Sequence, residues 1–381
     1  MRSSAEILKD IDGIDDQLAG LLRRRLELSG EAAEAKTLEG VRLSDPARDR
    51  ATVARVAGIT GPKFEDAAKL LYTNIFGITK ARQRLMVRGE PEIVKSIRKA
   101  AGEAAPLPSH ALVACQGTDG SYAQQAASAM FRIPTLLFFS DFESVFEAVE
   151  KGLCPYGVLP IENSSAGSVS QVYDLMVKHR FHIVSAIRVK IDHVLLGRPG
   201  AKAGAIREVH SHPHALAQCS AFLKAHPEMK PVPESNTALA ARAVADGDRD
   251  DVAAIASRAC AELYGLDVLA EGVADAANNY TRFICISRGL STTPDAGKLS
   301  LMMSLPHRPG SLNAILSKFS AIDVNLTKLE SRPVPGMDFE FLFVFDFESH
   351  PDNPAVLALI SELAQDPEIE RFTFLGAYAE R

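Results

Sequence analysis

Apolar side chains recur at steps of four and three residues between residues 7 and 35 of the chain. This spacing places them on one face of an α-helix and predicts a single helix of roughly 35 residues, about 50 Å long. Such a helix is longer than a lone compact domain, so we expect it to pack against a second copy of itself. The seam consists of Ile7, Ile11, Ile14, Leu18, Leu21, Leu28, Ala32 and Ala35.

The composition of the 381-residue chain is typical of a globular protein of about two or three domains. The net charge of −6 argues against nucleic acid as the main partner. No apolar run approaches the roughly 18 residues needed to span a bilayer, and no signal-peptide core follows the first residues. The five cysteines form no C-x-x-C pair, so we expect buried, reduced thiols in a cytoplasmic protein.

One cation interrupts the apolar seam. Arg25 falls three residues before Leu28, where the spacing requires an aliphatic side chain. A buried guanidinium needs an anionic partner, whereas an alternative is that Arg25 extends to water. Ser44-Asp45-Pro46 is a helix start, and Thr79 and Gln83 share one face of a third helix. Three helices thus offer six side chains to one pocket, namely Arg25, Lys36, Arg48, Asp49, Thr79 and Gln83.

In these motifs residues 1–100 resemble the all-helical chorismate mutase family, whose members are intertwined helical dimers. The resemblance implies that Arg25 and Arg48 hold the substrate carboxylates. It also implies that Lys36 and Gln83 stabilise the ether oxygen, and that Asp49 binds the ring hydroxyl. A pericyclic rearrangement of this kind needs a clamped conformer and positive charge beside the breaking C–O bond, not an acid, base or nucleophile.

The chain departs from that family at three positions. Leu8 stands where an arginine usually crosses to the partner subunit, Asp49 replaces glutamate, and Thr79 replaces serine. Loss of one carboxylate-binding arginine weakens transition-state binding. A helical domain that only forms the dimer is therefore the alternative to an active mutase.

Between residues 110 and 289, short apolar runs lead into or out of polar loops. The run 111–115 precedes the glycine-containing loop 116–122, the run 156–161 precedes 162–168, and Ile284-Cys285-Ile286 follows 278–283. Polar groups at the ends of buried strands commonly form small-molecule sites in α/β domains. The first loop is neither G-x-G-x-x-G nor a Walker loop, so we expect no nucleotide and no cofactor.

His210, His212 and His214 alternate along the chain as metal ligands on one strand face would. Pro213 argues against a regular strand, and no Cys or Asp/Glu cluster adjoins the three histidines. We therefore expect no metal site here.

Five motifs taken in order closely resemble prephenate dehydratase across residues 111–288. They are Gly117-x-x-Gly120-Ser121-Tyr122, Pro160-Ile161-Glu162-Asn163-Ser164-Ser165-x-Gly167, Ser211-His212-Pro213, Ser235-x-Thr237-Ala238 and Asn279-x-Thr281-Arg282-Phe283. The resemblance implies two α/β lobes like those of a periplasmic binding protein, with the site in the cleft between them. The first lobe should take both ends of the region, and the second lobe residues 191–270.

The reaction implied by the resemblance is loss of the ring carboxylate as CO2 and of the ring hydroxyl as water, giving phenylpyruvate. Thr281 matches the family's catalytic threonine and is predicted to contact the leaving hydroxyl. Arg282 is the nearest fixed cation and is a candidate for binding a carboxylate through two hydrogen bonds. Asn163, Ser211 and Gln218 match other active-site positions of the family, and the remaining candidate catalytic residues are Glu162 and Ser121.

Residues 297–381 show apolar patterns in the order βαββαβ, which predicts an α+β, ferredoxin-like domain. The region resembles the ACT-type amino-acid-binding domain appended to prephenate dehydratases, in which two motifs line a phenylalanine site between subunits. The resemblance implies feedback inhibition by L-phenylalanine. The effector-binding candidates are Gly310, Ser311, Leu312, Glu330, Ser331 and Arg332.

The sequence thus predicts a helical domain (1–100), a linker (101–109), a two-lobed α/β domain (110–289) and a regulatory domain (297–381). The predicted protein is a homodimer or dimer of dimers that acts on chorismate and prephenate without metal or cofactor. Three alternatives stay open. They are a dehydratase with an inactive helical domain, an enzyme that prefers arogenate, and a solute-binding protein fused to a sensor.

Overall fold

The structure is a computed structural model that describes residues 2–43, 45–276, 278–333 and 341–381. Two parts of predicted elements lie outside these ranges. They are Ser44, in the predicted helix start, and residues 334–340 of the predicted C-terminal βαββαβ domain.

The first region is helical, as predicted. Its elements are α1 (Ser4–Leu38), α2 (Pro46–Thr60), α3 (Glu65–Arg88) and α4 (Glu92–Gly102). α1 begins with a capping box, in which the Ser3 hydroxyl accepts from the Glu6 N–H and the Glu6 carboxylate accepts from the Ser3 N–H. The side chain of Asp45 accepts from the Arg48 N–H at the start of α2. The local sequence thus determines where both helices start.

Most of the apolar seam of α1 is open in the single chain. Ile14, Leu18 and Leu21 are 55%, 53% and 67% exposed. α1 contacts α3 towards its C-terminal half, where the Gln83 amide donates to the Ser29 carbonyl oxygen over 2.9 Å. A second copy on the open seam stays a prediction.

The first lobe of the α/β region is built on a mainly parallel sheet. Its elements in chain order are β1 (His110–Gln116), α5 (Tyr122–Met130), β2 (Ile133–Phe139), α6 (Phe142–Glu150), β3 (Tyr156–Asn163), β4 (Gly167–Ser168), α7 (Ser170–His179) and β5 (His182–Lys190). Helices cover both faces of β1 and β3, whose buried apolar runs the sequence predicted.

The second lobe has a sheet of its own, with strand order β10-β6-β9-β7-β8. Its elements are β6 (His193–Gly197), β7 (Glu208–Ser211), α8 (Pro213–Gln218), α9 (Ser220–Ala225), β8 (Lys230–Pro233), α10 (Thr237–Asp246), β9 (Val252–Ser257), α11 (Ala259–Tyr264) and β10 (Asp267–Ala270). The chain then returns to the first lobe as β11 (Tyr280–Ser287), between β3 and β5. Two lobes joined by two crossovers confirm the predicted architecture.

The C-terminal region has the predicted βαββαβ order. Its elements are β12 (Lys298–Ser304), α12 (Ser311–Ala321), β13 (Leu326–Pro333), β14 (Phe341–Glu348), α13 (Pro354–Ala364) and β15 (Phe372–Tyr378). The antiparallel sheet order is β13-β14-β12-β15. Phe345 and Phe347 pack under the helices, whereas Val344 joins the core of the first lobe. Both faces of this sheet are therefore buried.

The α4 helix belongs to the core of the C-terminal sheet. Val94 and Ile97 are each 1% exposed and cluster with Leu299, Phe345 and Ile360. The sequence placed residues 92–100 with the helical region, because an amphipathic helix does not reveal which surface its apolar face covers.

The helical region also contacts the C-terminal region directly. Arg84, next to Gln83 on α3, forms an ion pair of 3.2 Å with Asp366. The Gln365 amide donates to the Gly89 carbonyl oxygen over 2.7 Å. The C-terminal region thus contacts both the helices and the first lobe.

The contact between β15 and β5 depends on a glycine. A Cβ built at Gly376 would lie 2.1 Å from the carbonyl oxygen of Ile183. Gly376→Ala is expected to push β15 away from β5 and to lower the melting temperature by several degrees, since such overpacking costs about 1–3 kcal/mol or more. Thermal unfolding of the full chain measures this. Gly289→Ala is the control, because no atom lies within 4 Å of its added Cβ, and equal melting temperatures for the two variants would contradict the prediction.

All five cysteines are buried and free, as predicted. Among the described residues, no helix combines the length and apolarity that crossing a membrane requires.

Candidate active sites

The polar ends of the two sheets face each other across the cleft between the lobes. In the first lobe β3 ends at Asn163, which pairs with Thr281 near the start of the antiparallel strand β11. In the second lobe β7 ends at Ser211, β9 ends at Ser257, and β6 begins at His193, which pairs with Ser257. This is the crevice in which α/β proteins bind ligands.

Asn163 fixes the hydroxyl of Thr281. The amide nitrogen of Asn163 donates to Thr281 Oγ1 over 2.9 Å and to Asn279 Oδ1 over 2.8 Å. Its amide oxygen accepts from the backbone N–H groups of Ser165 and Ala166. Because Thr281 accepts from Asn163, its own proton is available for a hydrogen bond to another group. This arrangement suits donation to the oxygen of a leaving group.

The loop after β1 joins the first lobe to the second. The Ser257 hydroxyl donates to the Gly120 carbonyl oxygen over 3.1 Å, and the Tyr264 hydroxyl donates to the Asp119 carbonyl oxygen over 2.7 Å. Gly120 has φ +83°, and a Cβ there would lie 2.8 Å from Cys260 Sγ. Ser121 caps α5 by accepting from the Gln124 N–H. The predicted residue Ser121 therefore stabilises this loop.

Ser211 and Gln218, the two candidates in the second lobe, have different hydrogen-bond partners. Ser211 is fully buried and donates to the Ile255 carbonyl oxygen over 2.5 Å, so its proton is already used. Gln218 Oε1 lies 3.2 Å from His193 Nε2. Sequence reasoning missed His193, because nothing in the run Ile191-Asp192-His193 shows that it meets a glutamine on α8.

Arg282 lies on the opposite face of the sheet from Thr281. Successive residues of a strand alternate between faces, and Arg282 donates to Asp346 on β14 over 2.7 Å. Its guanidinium also lies 3.6 Å from Glu162 and 3.6 Å from Glu380. The charge of Arg282 is therefore paired between the first lobe and the C-terminal sheet, and its binding of a substrate carboxylate stays a prediction.

Glu162 lies on the same side as Arg282, with which it pairs across β3 and β11. Its carboxylate is 3.1 Å from Lys328 on β13. Lys328 also donates to the Ser168 hydroxyl over 2.8 Å. The partners of Glu162 thus belong to the interdomain contact, and its catalytic role stays a prediction. Lys328 and Asp346 were not predicted, because both come from a distant part of the chain.

Two of the predicted effector-binding residues face the first lobe instead of a ligand cavity. Glu330 accepts from Ser168, and Arg332 donates to the Ser170 carbonyl oxygen over 2.9 Å. The pKa of Glu330 is lowered, because its bonds to Ser168 and Lys328 outweigh the opposing effect of burial. Within the single chain these two side chains therefore contact the first lobe, and their role in binding an effector between subunits stays a prediction.

A cavity of about 340 Å³ lies at the start of α12. Ser311 and Leu312 line it together with Phe343, and Ser331 pairs with Phe343 across β13 and β14. Gly310, with φ +85°, precedes the helix as its N-cap. Ser311 Oγ is buried and has no hydrogen-bond partner among the described residues. Four of the six effector candidates are therefore in or beside this cavity.

Three of the six mutase candidates lie where α1, α2 and α3 face each other. Arg25 Nη1 donates to Thr79 Oγ1 over 2.8 Å, and its guanidinium lies 5.0 Å from the centre of the Phe76 ring. Asp49 forms an ion pair of 2.7 Å with Lys80 on α3. Lys80 was missed, although it follows Thr79 directly in the sequence.

The other three mutase candidates are held less closely. Gln83 bonds to Ser29, as described above. Lys36 donates to the Leu43 carbonyl oxygen over 3.0 Å. Arg48 is exposed at the start of α2. In the described parts of the chain, no three or more His, Cys, Asp or Glu side chains are grouped as metal ligands.

Comparisons with known proteins agree with this organisation. The family model described as "Prephenate dehydratase" matches residues 113–290, and the one described as "Chorismate mutase type II" matches residues 7–84. A solved structure of prephenate dehydratase in complex with L-Phe from Arthrobacter aurescens is 31% identical, with a TM-score of 0.64. It covers 70% of this chain and 89% of that chain. The fold and the cleft are thus those of a prephenate dehydratase, preceded by a mutase-type helical region.

Two curated relatives define the family more narrowly. The bifunctional chorismate mutase/prephenate dehydratase of Neisseria gonorrhoeae is 30% identical over 370 residues, which are 96% of this chain and 93% of that protein. This chain belongs to the family of bifunctional chorismate mutase/prephenate dehydratases. The arogenate dehydratase/prephenate dehydratase 1 of Arabidopsis thaliana, a chloroplastic protein, is 39% identical over 253 residues. That match covers 62% of this chain, and the chain spans 64% of the plant protein.

Proposed function

We propose that the chain rearranges chorismate to prephenate in its helical domain and converts prephenate to phenylpyruvate in its two-lobed domain. L-phenylalanine is the proposed feedback inhibitor, bound to an ACT-type C-terminal domain. The proposed domain limits are 1–100, 110–289 and 297–381, with α4 docked on the C-terminal sheet. The open seam of α1 supports a homodimer or dimer of dimers. A cytoplasmic location stays a prediction of the cysteine pattern.

The observation that carries the dehydratase proposal is the bond between Asn163 and Thr281 at the cleft. When prephenate reacts, the electrons of the bond to the ring carboxylate enter the ring as CO2 leaves, and the ring hydroxyl departs with its electron pair. That hydroxyl takes up one proton and becomes water. Thr281 donates a hydrogen bond to the departing oxygen, whose negative charge grows in the transition state. Asn163 holds Thr281 in the orientation for this donation.

The direct test supplies the purified full-length chain with chorismate and, separately, with prephenate. Loss of chorismate with formation of prephenate measures the mutase, and formation of phenylpyruvate measures the dehydratase. Dehydratase turnover without mutase turnover would support the alternative in which the helical domain only forms the dimer. No turnover of prephenate would contradict the dehydratase proposal.

A preference for arogenate is the second candidate, and the 39% identical plant protein favours it because its name includes arogenate dehydratase. Arogenate carries an amino group where prephenate carries a keto oxygen. A third assay supplies arogenate and measures the formation of phenylalanine. The ratio of the kcat/KM values for arogenate and prephenate then decides between the two substrates.

Arg25→Leu is expected to lower the mutase kcat/KM by about 100-fold or more, because a bidentate charged contact to a carboxylate is lost. Dehydratase turnover should stay unchanged, since Arg25 contacts α3 and not the lobes. Arg24→Leu on the same helix is the control, because Arg24 is 64% exposed and pairs with Glu27. Equal mutase activity in the two variants would contradict the role of Arg25.

The cavity beside Ser311 is the proposed position for the effector. Saturating L-phenylalanine is expected to raise the melting temperature by a few degrees, since a ligand at about 100 times its Kd adds about 2.7 kcal/mol. Ser311→Phe should remove both this shift and the inhibition by filling the cavity. Asn313→Phe, on the exposed side of the same helix, is the control. An identical shift in both variants would place the effector elsewhere.

A further inference from the structure

His193 is a buried histidine at the junction between the two lobes. It is 2% exposed and opens β6, directly after the chain leaves the first lobe. The neighbouring Ile191 N–H donates to the Asn279 carbonyl oxygen over 2.8 Å, which ties the two crossover segments together. His193 therefore lies beside the two segments that connect the lobes, close in sequence to the residues of β5 that pair with β11.

Both ring nitrogens of His193 have partners, one in each lobe. Nδ1 lies 3.3 Å from the Tyr122 hydroxyl, which also donates to the Asp192 carbonyl oxygen over 3.0 Å. Nε2 lies 3.2 Å from Gln218 Oε1. Tyr122 begins α5 in the first lobe, and Gln218 ends α8 in the second. A polar chain thus runs from one lobe through His193 to the other.

The partners determine the tautomer of the ring. Gln218 presents an amide oxygen, which only accepts, so Nε2 must carry the proton. Nδ1 is then the acceptor, and the single proton of the Tyr122 hydroxyl is shared between Nδ1 and the Asp192 carbonyl oxygen. Burial lowers the pKa of His193, so the ring is neutral near pH 7 and has one donor and one acceptor.

This pairing fixes the orientation of the Gln218 side chain. With its oxygen held by the ring, the amide NH2 group points away from His193, and among the described residues it has no hydrogen-bond partner. We propose that His193 is a positioning residue for the dehydration reaction, holding the amide of Gln218 so that its NH2 group donates to the substrate in the cleft. This inference rests on the proposed dehydratase function.

A histidine that only fills buried space predicts different kinetics from one that orients Gln218. If His193 acts through Gln218, removing it lowers kcat in the wild-type chain but not in a chain that already lacks Gln218. If His193 only stabilises the fold, its removal has the same effect in both backgrounds. The double-mutant cycle therefore separates the two roles.

The test compares His193→Leu, Gln218→Leu, the double variant and His193→Gln in the full-length chain, with prephenate as substrate. We expect His193→Leu to lower kcat by about 10-fold or more with a smaller change in KM. The double variant should be no slower than Gln218→Leu, and His193→Gln, which keeps an N–H donor near Nε2, should recover most of the activity. Additive losses, or no recovery in His193→Gln, would overturn the inference. Mutase turnover and melting temperature of each variant check the fold.

A second measurement does not depend on turnover. The ¹⁵N chemical shifts of labelled histidine in the full-length chain report the tautomer, and the His193 signal is identified by its loss in His193→Gln. A neutral ring with its proton on Nε2 at pH 7.5 is expected, and a proton on Nδ1 would overturn the inference. If the wild-type chain does not turn over prephenate, the dehydratase proposal itself fails. A normal wild type with additive variants refutes only the role of His193.

Discussion

Thr281→Val is expected to lower dehydratase kcat by about 100-fold or more, because positioned proton donors contribute 10²–10⁴-fold. Valine keeps the shape of the side chain but cannot donate to the departing hydroxyl. It also gives Asn163 no acceptor at the position of Thr281 Oγ1, although Asn279 still accepts from it. Steady-state formation of phenylpyruvate measures the effect.

Three comparisons make this prediction specific. Thr281→Ser keeps the hydroxyl and should retain most of the activity. Thr135→Val introduces the same chemical change at an exposed position on β2 and should leave kcat unchanged. Mutase turnover of Thr281→Val should equal that of the wild type. Full dehydratase turnover in Thr281→Val would show that the threonine does not take part in the reaction.

The second large effect concerns the ion pair between Arg282 and Asp346. Arg282→Met leaves the Asp346 carboxylate, which is 1% exposed, without its cation. Breaking one side of a buried ion pair costs about 3–5 kcal/mol. We expect a lower melting temperature and weaker inhibition by L-phenylalanine, because Thr281 precedes Arg282 on the strand that the C-terminal sheet holds.

A compensating variant tests the cause. Arg282→Met combined with Asp346→Leu removes both charges and should recover part of the lost stability. Arg258→Met is the control, because Arg258 forms an exposed pair with Glu271, and exposed pairs contribute about 0–1 kcal/mol. If the double variant is less stable than Arg282→Met, the ion pair is not the cause of the loss.

The sequence predicted the elements well, because periodicity and turn residues are local properties. The strand of residues 284–286 and the βαββαβ order of residues 297–381 both follow from patterns within a few neighbours. The seam of α1 predicted its length for the same reason. These features can be predicted without knowing which other parts of the chain pack against them.

The directions of particular side chains were less predictable. Alternation along β11 places Thr281 and Arg282 on opposite faces, but which face fronts the cleft depends on a sheet built from residues 298–378. The same holds for Glu330 and Arg332 on β13. Their motif indicated an effector site, yet the first lobe takes both side chains.

The packing of α4 has a consequence for how the chain is made. Val94 and Ile97 complete a sheet whose strands are synthesised only after both lobes, so their apolar faces stay open to water until translation is almost finished. Burial of each such side chain contributes about 1.5–3 kcal/mol. Bringing α4 to the C-terminal sheet closes a loop that contains both lobes, and the entropic cost of closing a loop grows only slowly with its length. The core of the C-terminal domain is therefore completed last, around a helix that is synthesised early. A fragment that begins at residue 110 would leave this part of its core uncovered and prone to association.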